Sequence, residues 1–157
     1  MSVNIGIPDD NRQKVVAILN TLLADEFLLY TKTRNFHWNV TGPQFNDLHK
    51  FFESLYEALD EVVDEVAERA RALDGRALGT LEEFRTKARL GEKPGAVPAA
   101  RDMLATLLAD HEALIRSLRE DVDTVTDGLE DVGTADFLTG LLEKHEKTAW
   151  MLRAFLA

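Results

Sequence analysis

The chain of 157 residues contains no cysteine. That absence excludes disulfides, iron–sulfur clusters, thiolate zinc sites and thiol catalysis, so any metal must be held by His, Asp and Glu. Proline is scarce, at four residues, and no segment alternates as a strand would. No apolar run approaches the roughly 18 residues needed to span a bilayer. The start, MSVNIGIPDDNRQKVV, lacks a basic head followed by an apolar core, so no secretory signal is expected and the cytoplasm is the expected location. Basic residues are also in deficit, with 18 Lys and Arg against 28 Asp and Glu and a formal charge of −10. This balance opposes nucleic-acid binding by the body of the protein, because phosphate affinity rests on clustered Lys and Arg. It favours the attraction of cations.

What is present is helical periodicity. Pro8 with Asp9 and Asp10 opens a first helix, as proline and acids in a first turn do. Val15, Ile18, Leu19, Leu22, Leu23 and Leu29 then run at helical spacing to about Trp38, where VTGPQ interrupts. A second helix is expected from Phe45 to Leu73, its seam made by Phe45, Leu48, Phe52, Leu55, Leu59, Val62, Val66 and Leu73. LDGRALGT ends it. Thr80 and Glu83 read as a capping box that starts a short helix, LEEFRTKARL. GEKPGAVP follows as loop, and Pro98 opens a third long helix through Leu104, Leu107, Leu114, Leu118 and Val122. A last helix from about Thr134 carries Phe137, Leu138, Leu141, Leu142, Trp150, Met151, Leu152 and Phe155, with Trp150 and Met151 expected in the core. Four long helices with a long middle crossover, which holds the short helix, predict an all-α, ferritin-like four-helix bundle.

The second helix also carries His49, Glu53, Asp64 and Glu68 as a stripe rotated away from its apolar seam. Most such stripes are solvated acidic faces. Here, however, His49 with Glu53 and Asp64 with Glu68 are both i,i+4 pairs, the spacing at which two side chains of one helix can meet one ion. The two pairs lie about 22 Å apart along the helix at 1.5 Å per residue, too far to share an ion within one chain. An antiparallel copy related by a twofold axis would bring them together and create two equivalent sites. His37, at the end of the first helix, is available as a further ligand, and imidazole with carboxylate suits iron, manganese or zinc. No Glu is followed three residues later by His, so the usual Glu-x-x-His centre inside one bundle is not expected.

The stretch FHWNVTGPQFNDLHKFFESLYEALDEVVDEVAERARALDGRALGT, residues 36 to 80, resembles the Dps-type miniferritins, the DNA-binding proteins of starved cells. The end of the chain, GTADFLTGLLEKHEKTAWMLRAFLA, is similar to that family's last helix. The resemblance implies one ferritin-like domain over 1–157, with a short tail at 1–8, assembled from twofold dimers into a hollow dodecamer. It implies a ferroxidase that oxidises Fe(II) at inter-subunit centres, with hydrogen peroxide preferred over oxygen, stores ferric mineral inside and protects against oxidative damage. Iron is the implied cofactor and no organic cofactor is implied. Carried over by motif, His37, His49 and Glu53 come from one subunit and Asp64 and Glu68 from another, as both metal ligands and catalytic residues. The family often has Asp where Glu53 stands. Trp38 resembles the aromatic residue beside that centre, a candidate electron relay or a packing indole. Asp127 and Asp136 resemble residues lining threefold iron-entry pores, and they equally suit the start of a helix.

His111 and His145 have no partner at metal spacing within their helices and are expected to be surface or packing residues. DNA-binding members of the family usually carry a mobile lysine-rich tail. The first fourteen residues here hold only Arg12 and Lys14 as basic groups, and the chain ends at RAFLA, so weak or absent direct DNA binding is expected. The competing reading is a nucleoid-associated, DNA-protecting structural protein with a vestigial metal site.

Overall fold

A computed structural model describes residues 3–157, and the first two residues of the expected tail lie outside them. Its elements are α1 (Asp9–Asn39), α2 (Phe45–Ala72), the short α3 (Leu81–Lys87), α4 (Ala100–Asp123), a π-helical turn (Thr124–Gly128) and α5 (Val132–Leu156). Among the described residues there is no strand.

The α1 and α2 helices pack as one hairpin and α4 and α5 as a second, while α3 lies against α1 within the long crossover. The expected seam of α2 faces inward, with Leu48, Phe52, Leu55, Leu59, Val62 and Val66 all buried, whereas Phe45 at its first position is exposed. Pro8 caps α1 with Asp9 and Asp10 in the first turn. The capping box forms as expected: Thr80 accepts from the Glu83 backbone, and the Glu83 carboxylate accepts from the Thr80 backbone. α2 stops where Asp74 turns left-handed at φ 60° and the Gly75 N–H reaches back to the Ala70 carbonyl. A Cβ at Gly75 would stand 2.3 Å from a Val16 methyl carbon, so only glycine lets the crossover lie this close to α1.

Two expectations need correction here. Trp150 is not in the core: it is 62% exposed, and Met151 beside it is only partly covered. The buried positions of α5, Leu138, Leu141, Leu142, His145, Ala149 and Leu152, step by three and four, and Trp150 falls one residue off that track. The last helix also starts earlier than Thr134. Asp131 caps it, its carboxylate accepting from the Thr134 N–H at 2.9 Å while Arg69 of α2 bonds both Asp131 and Thr134.

Candidate metal centre

His37 sits in the last turn of α1 and His49 near the start of α2, and the turn between the helices folds one against the other. The imidazoles are paired reciprocally. His37 Nδ1 donates to the His49 carbonyl at 2.7 Å, and His49 Nδ1 donates to the His37 carbonyl at 2.9 Å. A carbonyl only accepts, so each Nδ1 carries the hydrogen and each Nε2 of a neutral ring keeps a bare lone pair. That is the tautomer a metal ligand needs, fixed by the backbone. The rings stack with centroids 3.8 Å apart and planes at 19°, and Phe45 covers His49 at 5.0 Å.

Glu53 stands one turn along α2 from His49 and is half-buried. The Tyr56 hydroxyl lies 3.5 Å from its Oε1, and the Tyr56 ring meets His37 edge-on at 5.2 Å. Desolvation and the Glu53 charge push the Tyr56 phenol above its ordinary pKa, so it stays protonated and can donate to the carboxylate. The Arg34 guanidinium covers Tyr56 at 4.9 Å and Trp38 at 5.4 Å, and it also bonds the Tyr30 hydroxyl. Trp38 itself is 65% exposed. Neither Arg34 nor Tyr56 was singled out from the sequence. The available signal was spacing, since each lies three residues, one helical turn, from His37 or Glu53.

Asp64 and Glu68 lie further along α2, one turn apart and both exposed. The fold does not bring them to His37 and His49, and among the described residues no three His, Asp or Glu side chains are grouped to hold a metal ion. Beside Asp64 opens a cleft of about 520 Å³ whose lining includes Leu23, Phe27, Asp60, Leu81 and Phe84. Leu81 is an exposed apolar residue on its rim.

A family model described as a ferritin-like domain matches residues 16–157. A DNA protection during starvation protein of Bacillus anthracis is 37% identical, over 92% of this chain and 97% of its own. A Dps crystal structure from Vibrio cholerae, described as a member of the ferritin-like diiron-carboxylate proteins, superposes with TM-score 0.92 at 30% identity, covering 100% of this chain and 98% of that one. The chain belongs to the ferritin-like family as a Dps-type miniferritin. A low temperature-induced protein of Nostoc sp., itself uncharacterized, is 52% identical over 98% of this miniferritin and 86% of its own length. The family supports iron storage and DNA protection in general terms.

The miniferritin places its remaining candidates as follows. Asp127, in the π-helical turn, and Asp136, in the first turns of α5, are both exposed, on either side of the buried cap Asp131. His111 and His145 are buried, as packing residues would be, yet they are not without partners. They bond each other across α4 and α5.

Proposed function

We propose that this miniferritin oxidises Fe(II) at centres shared between twofold-related chains and stores the ferric product inside a hollow dodecamer. The observation that carries the reading is the reciprocal His37–His49 pairing, which engages each Nδ1 with a backbone carbonyl and leaves each Nε2 as the nitrogen available to a metal. In each centre His37, His49 and Glu53 of one chain face Asp64 and Glu68 of the partner subunit. Carboxylates and imidazoles suit Fe(II), and Zn(II) competes for the same donors. The exposed apolar Leu81 and the cleft beside Asp64 support burial of this face by a second copy.

The preferred oxidant in this proposal is hydrogen peroxide. Two Fe(II) ions each surrender one electron, peroxide takes both as its O–O bond breaks, and both oxygens end at the oxidation level of water. Taking the electrons as a pair avoids the hydroxyl radical that a single iron would release. Trp38 and Tyr56, beside the ligands, are the candidate electron relays. The charge of −10 draws iron inward, with Asp127 and Asp136 as the proposed pore acids. No described helix is long and apolar enough to cross a membrane.

Anaerobic addition of Fe(II) followed by peroxide should give ferric absorbance at about one peroxide per two irons, in a particle whose light-scattering mass is near twelve chains. A dimer, or iron that oxidises no faster than in buffer, would sink the proposal. The second reading, a nucleoid-associated DNA protector, is favoured by the names of relatives such as the Bacillus anthracis protein and opposed by the net charge. At physiological salt a gel shift should show no tight complex, because an acidic shell is repelled by DNA phosphates. A tight complex without iron turnover would make the second reading the better one.

A further inference from the structure

Among the described residues, three ionisable side chains from three helices form one buried hydrogen-bonded chain. His111 Nδ1 of α4 meets His145 Nδ1 of α5 at 2.8 Å, and His145 Nε2 meets Glu26 Oε1 of α1 at 2.7 Å. Exposures are 2%, 3% and 0% for His111, His145 and Glu26. At the two ends, His111 Nε2 and Glu26 Oε2 are buried without a partner. Such a network is a poor way to gain stability, since a well-packed apolar core of the same shape is often as stable or more so. Its geometry suits a switch instead.

The contact between the two Nδ1 atoms is the sensitive element. Two nitrogens at 2.8 Å hold one hydrogen between them. If His145 carries it, His111 must accept, and the reverse holds too. When both rings are imidazolium, each Nδ1 has its own hydrogen, and the attraction becomes a repulsion between two positive rings. The surroundings offer no relief. Every buried residue of α2 is apolar, and the only buried residue of α3 is Phe84. His111 is the one ionisable group buried on α4, and His145 the one on α5. On α1, Asp25 is bonded to Arg89, Arg12 to Asp9 and His37 to the His49 backbone, while the part-buried Lys32 of α1 is paired with Asp110 of α4 and Asp121 of α4 lies by Arg89, which leaves Glu26 as the one buried acidic group bonded to the two rings.

We propose that Glu26, His145 and His111 form an acid-sensitive latch through the bundle, which ties α1, α4 and α5 together while the two rings share one proton and releases them when a second arrives. The latch is distinct from the interface centre and does not depend on iron oxidation. Its sign follows from proton linkage. Burial, then the neighbouring His145, hold His111 well below its ordinary value. The unfolded chain therefore binds more protons than the folded one once pH falls below the free histidine value of about 6.5. The stability of the closed bundle is full above that pH and is lost as pH falls. The folded pair takes up about one proton fewer than two free rings, so acidification favours unfolding by up to about tenfold per pH unit per chain.

The test uses the intact, iron-free assembly. Urea unfolding of the wild type and His111→Gln is followed between pH 8 and 5, and glutamine keeps a polar partner for His145 without titrating. The wild-type unfolding constant should rise more steeply below about pH 6.5, and the excess over the variant should approach tenfold per unit. Parallel pH dependences in the two proteins overturn the latch. Exchange of the imidazole C2 hydrogen in the wild type, read by mass spectrometry, gives an answer even if the variant fails to assemble. Within the folded protein one ring of the pair should stay neutral across this range. Two rings titrating as free histidines in an intact bundle overturn the proposal.

Discussion

Mixing His37→Ala subunits with Glu68→Ala subunits should restore Fe(II) oxidation that neither variant shows alone. Each single variant removes one ligand from every proposed centre, so each should slow peroxide-driven oxidation by at least about tenfold. In a twofold dimer of one chain of each kind, one centre loses both residues. The other draws His37, His49 and Glu53 from the Glu68→Ala chain and Asp64 and Glu68 from the His37→Ala chain, and is complete. Random reassembly makes half of the dimers mixed, with one complete centre in two, so about a quarter of wild-type sites return. The two variants tested in separate shells and then pooled without dissociation are the control, and should stay slow. A centre built within one chain predicts no recovery on mixing, so rates as low as in the control would rule out the shared site. His145→Ala is the contrasting variant. It should unfold at lower temperature, because Glu26 then lies buried without its partner, while oxidation by the folded shell persists.

The legible parts of this molecule were those encoded within one helix. The seam of α2 from Leu48 onward, the Thr80–Glu83 capping box and the proline and acids opening α1 are local rules, and each appears where the spacing placed it. The proximity of His37 and His49 was legible too, because a short turn joins their helices. Their tautomer was not, since it is set by carbonyl acceptors that only the folded turn supplies. Glu26, His111 and His145 were beyond reach of spacing arguments for a related reason. Their bonds span 34 and 119 positions, and nothing within a single helix marks a histidine as the middle of a chain from three helices. Trp150 shows the opposite error, in which composition outweighed phase: it is apolar and sits beside core residues, yet lies off the buried track of α5. The π-helical turn after α4 left no recognised signal. Thr124 and Thr126, bonding back to the carbonyls of Glu120 and Val122 at 2.8 Å, mark it only in retrospect.

Asp25→Ala should destabilise the protein by about 3 kcal/mol through the crossover it pins. Asp25 is wholly buried on α1 and receives three hydrogen bonds from one segment: Arg89 N–H at 2.6 Å, Leu90 N–H at 3.1 Å and Arg89 Nε at 2.7 Å. Alanine leaves those two backbone donors without their acceptor, and the Arg89 guanidinium with only Asp121 nearby at 3.6 Å. The Arg89 side chain is 37% exposed, so water softens the loss of the ion pair, and the backbone bonds carry most of the cost. For a chain of this length about 3 kcal/mol lowers the melting temperature by roughly 6–12 °C. Asp25→Asn keeps a carbonyl oxygen that can accept from one or both N–H groups, and should cost about half as much. Arg89→Ala, which spares the backbone bonds, should cost least, and that ranking separates a pinned backbone from a simple salt bridge. Phe84 of α3 still packs against Phe27 of α1 with ring centroids 4.4 Å apart, so the released segment around Arg89 and Leu90, rather than α3, should become the first site of protease cleavage. A melting temperature within 2 °C of wild type for Asp25→Ala, or Arg89→Ala matching its loss, would remove the backbone pin as the cause.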